Sequence, residues 1–62
     1  MSAMDYFDKI MKIETEVMRG NKSEAIKYNL SDIINCAMED DITKAEFDEL
    51  YTYYVQVMNR LD

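Results

Sequence analysis

Apolar residues recur every three or four positions in three segments of the chain, a period that places them on one face of a helix. The first segment has Tyr6, Ile10, Ile13 and Val17 at this spacing, the second has Ile26, Leu30, Ile33 and Ala37, and the third has Phe47, Leu50, Tyr54, Val57 and Leu61. The pattern therefore predicts three amphipathic helices, each burying one face.

The predicted helix ends carry residues that commonly cap helices. Gly20 is the only glycine, and it is expected to end the first helix in the left-handed conformation that glycine adopts without strain. Thr43 and Glu46 have the spacing of a capping box, and Ile42 and Phe47 have the spacing of a hydrophobic staple across the same helix start. The predicted helices cover residues 5–19, 22–39 and 44–61.

Two parts of the chain are less regular. Asn21 and Ser23 are both candidate caps for the second helix. In residues 29–32, Asn, Ser and Asp side chains compete for backbone hydrogen bonds, so a kink or a new helix start is expected there. Residues 1–3 are expected to have no role in the fold, because Met4 offers a second possible start.

The predicted connections are about two and about four residues long, which favours antiparallel packing of consecutive helices. The expected fold is an all-α, up-down-up, antiparallel three-helix bundle, formed as one small domain by residues 1–62. A chain of 62 residues builds only a small core, and its single cysteine cannot form an internal disulfide. Tight helix packing, self-association or a partner is therefore expected to support the fold.

Residues suited to catalysis are scarce. The chain has no histidine, the commonest general base. Cys36 lies beside the apolar stripe of the second predicted helix, where a small residue fills the edge of a core. Residues 41–47 resemble the second half of an EF-hand calcium loop. However, Ala37 then falls at a ligand position and Asp40 at the position that requires glycine. We expect no enzymatic activity, no cofactor and no metal site.

The sequence also lacks membrane and export signals. No stretch reaches the roughly 18–20 apolar residues of a membrane span, and no basic segment followed by an apolar run marks a secretory signal. A cytoplasmic protein that does not enter the membrane is expected.

Negative charge is concentrated in the second half of the chain. The 13 acidic and 7 basic residues give a net charge of −6. Residues 1–31 hold equal numbers of acids and bases, so the whole excess lies in residues 32–62. Most of this excess belongs to an acidic lobe around the second connection, formed by Glu39, Asp40, Asp41, Glu46, Asp48 and Glu49.

Such a lobe attracts a basic partner and speeds its capture. Direct binding to nucleic acid is disfavoured, because phosphates require a basic patch. The acids could instead act as a nucleic-acid mimic, in which carboxylates on a rigid helix occupy the Lys/Arg groove of a DNA- or RNA-handling protein. The alternative is that acids near the start of the third helix favour its dipole and keep the chain soluble.

The first and third helices each carry a second apolar stripe beside the main one. These stripes consist of Met4, Phe7, Met11 and Met18 in the first helix and of Tyr51, Val55 and Met58 in the third. Tyr28 and Tyr53 fall toward polar faces and are expected to be exposed. Wide stripes are also expected in a bundle where each helix touches two others, so core packing is the alternative to partner contact.

These features favour a non-enzymatic regulator or inhibitor that acts by protein–protein contact. The acidic lobe would steer it to a basic protein, and the Met and Tyr side chains would supply apolar contact. In size, acidity and lack of catalytic residues the chain resembles accessory regulators of phages and mobile elements. The alternative function is a small structural homo-oligomer, a possible homodimer joined through the second apolar stripes.

Overall fold

The computed structural model describes residues 1–61. It contains three α-helices: α1 (Ala3–Met18), α2 (Glu24–Glu39) and α3 (Lys44–Leu61). Each helix contacts both of the others, and the bundle measures 33 × 16 × 16 Å. The predicted all-α three-helix bundle is confirmed, and the predicted helix bounds differ from the observed ones by at most two residues.

The core lies along the bundle axis and draws on all three helices. Its fully buried large side chains are Ile10, Leu30, Leu50 and Val57. In α2, Ile34 is buried and Ile33 is only half-buried, the reverse of the predicted order. Both flank the stripe through Leu30, but Ile33 lines a groove between α1 and α2 that is open to solvent.

Helix α1 begins two residues earlier than predicted, and the expectation that residues 1–3 have no role is wrong. Ser2 is the N-cap, and its backbone N–H donates a hydrogen bond to Asp5 Oδ2 at 2.9 Å. This hydrogen bond lowers the pKa of Asp5. Ala3 is buried against the core. The Ser2–Asp5 pair is a capping box in which aspartate takes the place of the usual glutamate.

The predicted glycine cap after α1 and the predicted capping box at the start of α3 are both confirmed. Gly20 has φ +95°, and the N–H groups of Gly20 and Asn21 bond to carbonyls of the last turn of α1, which completes a Schellman motif. At α3, the Thr43 N–H donates to Glu46 Oε1 at 3.0 Å, and the Glu46 N–H donates to Thr43 Oγ1 at 3.1 Å.

Helix α2 begins after Ser23, the second of the two candidate caps, and runs without interruption to Glu39. The new helix start considered for residues 29–32 is therefore absent. Leu30 is fully buried in this segment and Ser31 is half-buried, so tertiary packing fixes the backbone in the helical conformation.

Candidate protein-interaction surface

The antiparallel arrangement places the acidic lobe at one end of the bundle. The first turns of α1 lie at the same end, because the amino group of Met1 is 3.1 Å from Asp40 Oδ2. Asp5 and Asp8 therefore add to the negative charge of this end. Charge counted along the chain missed them, since they belong to the balanced half of the sequence.

Asp40 is used within the bundle. Its Oδ2 atom accepts a hydrogen bond from the Tyr6 hydroxyl at 2.5 Å, and its Oδ1 atom accepts one from the Asp41 N–H at 2.7 Å. The bond from Tyr6, followed by that from Asp41, lowers the pKa of Asp40 to about 2. The same bond raises the pKa of Tyr6 to about 12. Because Tyr6 is buried, the Asp40 carboxylate has a structural role that the sequence did not indicate.

Glu46 is also engaged, as the partner of Thr43 in the capping box. The other four members of the acidic lobe are exposed, and within residues 1–61 their carboxylates make no hydrogen bond or ion pair. We call these the free carboxylates: Glu39, Asp41, Asp48 and Glu49. The six acids predicted from the sequence thus divide into two that hold the fold together and four that are available to a partner.

An apolar notch of about 350 Å³ lies between the end of α2 and the start of α3. Met38, Ile42 and Phe47 line it, with Asp40 and Lys44 among the polar residues at the same site. The acidic end thus combines exposed charge with exposed apolar surface, the two components of a protein interface.

Two exposed side chains accompany the notch. Met38 is 65% exposed, and the exposed ring of Tyr51 lies 6.1 Å from that of Phe47, centroid to centroid. Met38 was missed from the sequence. It follows Ile34 by four residues, so it would have been found had Ile34 been placed on the core stripe instead of Ile33.

The second apolar stripe of α1 is largely outside the core. Met4, Met11 and Met18 are 67%, 51% and 74% exposed, respectively. They are seven residues apart and therefore lie along one flank of α1. We call them the methionine row. Phe7, the fourth member of the predicted stripe, is half-buried and stacks on Tyr53 with a centroid distance of 6.1 Å.

The expected exposure of Tyr53 is wrong. Its hydroxyl donates a hydrogen bond to Glu14 Oε1 at 2.8 Å, and Arg60 Nη1 lies 2.6 Å from Glu14 Oε2. Burial, and then the bond to Glu14, raises the pKa of Tyr53 to about 12. Phe7 and Glu14 therefore anchor α1 to α3 through the flank of α3 that carries Tyr53 and Arg60.

The second apolar stripe of α3 lies on its other flank. Tyr51 and Val55 are exposed, Met58 is half-buried against the core, and Tyr51 contacts Phe47 of the notch. Helical spacing puts these residues on the side of α3 opposite Tyr53. The stripes of α1 and α3 therefore form two separate surfaces, whereas the sequence pattern suggested a single one.

Helical spacing also separates the free carboxylates. Glu49 precedes Arg60 by eleven residues, close to three full turns, and so shares the flank of α3 that faces α1. Glu39 follows Met38, Asp41 precedes Ile42 and Asp48 follows Phe47, so each of these three acids is next in sequence to a residue that lines the notch. The notch and its three acids thus form one candidate surface, and the methionine row with Glu49 and Arg60 forms another.

The remaining predicted residues and cavities lie apart from these surfaces. Tyr28 is 76% exposed, as expected, but it belongs to the first half of α2, away from the acidic end. A groove of about 380 Å³ between α1 and α2 contains Lys9, Lys12 and Asp32, so it has no single sign of charge. Cys36 borders this groove and is exposed, which corrects its predicted place at the edge of the core.

Within residues 1–61, no three His, Cys, Asp or Glu side chains are grouped so that they could hold a metal ion. None of the helices in this part of the chain is long and apolar enough to cross a membrane. Comparisons with protein-family models, curated proteins and solved structures found no match to this chain.

Proposed function

We propose that the chain is a non-enzymatic regulator that binds a basic surface of another protein through the notch and its three neighbouring acids. The observation that carries the proposal is the position of Glu39, Asp41 and Asp48. They are exposed and unpaired within residues 1–61, and each adjoins in sequence an apolar residue that lines the notch. Charge speeds the encounter, and burial of apolar surface then holds the complex together.

The surface fits a partner segment that presents Lys or Arg beside apolar residues. The Lys/Arg groove of a DNA- or RNA-handling protein is the class of partner surface that best matches three exposed carboxylates at one end of the bundle, so inhibition by mimicry of nucleic acid is the specific form that we propose. A bound regulator would then compete directly with the nucleic acid.

The first test uses a defined probe in place of the natural partner. We expect a synthetic amphipathic helix, with lysines on one face and leucines on the other, to shift the amide NMR signals of Met38, Phe47 and Tyr51. The same peptide with glutamates in place of lysines is the control and should not bind. Binding of the lysine peptide should weaken as salt is raised, because the charges involved are exposed.

Two matched variants locate the interaction. Asp48→Lys and Asp32→Lys change the net charge equally, but Asp32 lines the groove between α1 and α2 instead of the acidic end. We expect the triple variant Glu39→Lys, Asp41→Lys, Asp48→Lys to slow association with the lysine peptide by roughly tenfold or more at low salt. Asp48→Lys alone should have a smaller effect and Asp32→Lys almost none. Equal effects of Asp48→Lys and Asp32→Lys, or equal binding of both peptides, would contradict the proposed site.

The mimicry itself is tested on a natural partner. Immobilised wild-type chain and the triple variant serve as paired baits, and a protein retained only by the wild type is purified. We expect a DNA or RNA duplex to compete with the chain for that protein. A partner that binds the duplex and this chain at the same time would contradict mimicry. The proposed protein–protein contact would then still stand.

A further inference from the structure

The methionine row has no role in the surface proposed above. Met4 and Met18 are fourteen positions apart on α1, which is about 21 Å at a rise of 1.5 Å per residue. All three side chains are more than half exposed. A period of seven residues is the period at which one helix packs along another with a left-handed crossing.

The spacing of the row is symmetric about Met11. A two-fold axis through Met11 and perpendicular to α1 exchanges the ends of the row, so that Met4 of one chain meets Met18 of the other. An evenly spaced row is therefore its own complement when a second copy runs antiparallel to the first. A closed two-fold contact of this kind is the commonest arrangement of homo-oligomers.

The charges on α3 have the same symmetry. Glu49 and Arg60 lie on the flank of α3 that faces α1, and their midpoint falls one to two residues beyond Tyr53. Tyr53 contacts both Phe7 and Glu14, so it is level with the part of α1 around Met11. The two-fold axis that exchanges the ends of the methionine row therefore places Glu49 of each chain opposite Arg60 of the other.

We propose that a second copy of this chain binds the α1–α3 face in an antiparallel arrangement, with its two-fold axis at Met11. The bundle is 33 Å long and 16 Å wide, so one face has a footprint of about 530 Å², near the lower limit of roughly 500 Å² per partner for a specific interface. The dimer is therefore weak and depends on concentration. It is independent of the regulator function proposed above, because the notch and its acids lie on the other flank of α3.

Single cysteine substitutions test the position of the axis. In a Cys36→Ser background, Met11→Cys places two thiols at the axis, within the Cα separation of up to about 7 Å that a disulfide spans. We expect Met11→Cys to form a covalent dimer under mild oxidation roughly tenfold or more faster than Met38→Cys, because the interface raises the local thiol concentration. Met38→Cys is the matched control, an exposed methionine on the notch side. Equal rates for the two variants would overturn the proposal.

A mixture of two variants tests the direction of the chains. Met4→Cys and Met18→Cys should each cross-link slowly alone and rapidly when they are mixed, since the antiparallel arrangement brings position 4 of one chain to position 18 of the other. Rapid cross-linking of Met4→Cys with itself would instead require a parallel arrangement and would overturn the proposal.

A charge reversal provides a test that does not depend on cysteine chemistry. Glu49→Arg places like charges opposite each other at both ends of the interface, and we expect it to weaken the dimer by about tenfold in sedimentation equilibrium, because two exposed ion pairs of modest strength become repulsive. Glu49→Gln removes the attraction without adding a like charge, so it should weaken the dimer less than Glu49→Arg, and thermal melts show whether both variants fold. A wild-type chain that remains monomeric at the highest soluble concentration would overturn the proposal.

The outcomes also separate this proposal from the preceding one. Loss of the dimer in Glu49→Arg should leave binding of the lysine peptide unchanged, whereas the triple variant at the notch should remain able to dimerise. If both variants lost both activities, the two surfaces would be one, and the separation assigned here would be wrong.

Discussion

The hydroxyl of Tyr6 donates a 2.5 Å hydrogen bond to Asp40 Oδ2, across thirty-four positions of the sequence. Tyr6 is buried on α1, and Asp40 is the C-cap that follows α2. The bond therefore ties the start of the first helix to the connection between the second and third. This junction makes the stability of the acidic end depend on a carboxylate that would otherwise be counted among its partner-binding charges.

We expect Tyr6→Phe to lower the melting temperature by roughly 5–10 °C, because the ring remains packed while Asp40 loses the hydrogen bond from the Tyr6 hydroxyl. Tyr28→Phe is the matched control, since Tyr28 is 76% exposed and its loss of a hydroxyl should leave the melting temperature unchanged. Circular dichroism of the two variants and of Asp40→Asn measures the effect. Identical melting temperatures for Tyr6→Phe and the wild type would show that the bond does not contribute to stability.

The same junction predicts how stability depends on pH. The pKa of Asp40 is lowered from 3.8 to about 2, mainly by the bond from Tyr6, so its contribution is present above pH 3.8 and is lost as the pH falls toward 2. The pKa of Tyr6 is raised from 10.0 to about 12, so its contribution is present below pH 10.0 and is lost as the pH rises toward 12. Melting temperatures of the wild type and Tyr6→Phe should differ most between these limits.

The difference between the two proteins should shrink at both extremes of pH. Tyr53 also has a raised pKa, so alkaline unfolding of the wild type alone does not isolate Tyr6. The comparison with Tyr6→Phe does, because Tyr53 is present in both proteins. A difference that stayed constant from pH 2 to pH 12 would contradict the assignment to this pair.

Glu14 joins α1 to α3 by accepting hydrogen bonds from Tyr53 and Arg60. Its side chain is only 20% exposed, so we expect Glu14→Ala to lower the free energy of unfolding by about 1–2 kcal/mol, measured by urea denaturation. Glu16→Ala is the control, because within residues 1–61 the Glu16 side chain pairs with Arg19 alone, at the surface, and its loss should change the free energy by about 0.5 kcal/mol or less. If Glu14→Ala and Glu16→Ala lowered the free energy of unfolding equally, the hydrogen bond from Tyr53 would not contribute to stability.

Gly20 offers a test of backbone conformation alone. Its φ is +95°, and a Cβ built there would meet no atom within 4 Å. We therefore expect Gly20→Ala to lower the free energy of unfolding by about 1 kcal/mol through backbone strain, and Gly20→Asn to have a smaller effect. Lys22→Ala in the same connection should be nearly neutral. A Gly20→Ala variant as stable as the wild type would indicate that the loop relaxes to a negative φ.

Local features of this fold could be predicted because they depend on residues close together in sequence. The stripe through Leu50 and Val57 follows from helical period, and the caps at Gly20 and at Thr43 follow from the chemistry of a few adjacent residues. The early start of α1 had the same kind of signal in Ser2 and Asp5, but aspartate is less often found in a capping box than glutamate.

The division of the surface depends on information that one-dimensional patterns lack. Helical period shows that α1 and α3 each have a second apolar flank, but not which neighbouring helix each flank faces. The contacts of Tyr53 with Phe7 and Glu14 resolve this point, and they join residues far apart in sequence. For the same reason, no local pattern distinguishes the engaged carboxylate of Asp40 from the free one of Asp41.

The position of the engaged Asp40 between the free carboxylates Glu39 and Asp41 has a consequence for genetic screens. A library selected for loss of partner recognition would recover substitutions at Asp40 and at Glu46 alongside those at Asp41 and Asp48, although the first two act by reducing the amount of folded protein. Cellular abundance scored in the same library would separate the two groups. Variants that keep normal abundance and lose recognition would then identify the residues that contact the partner.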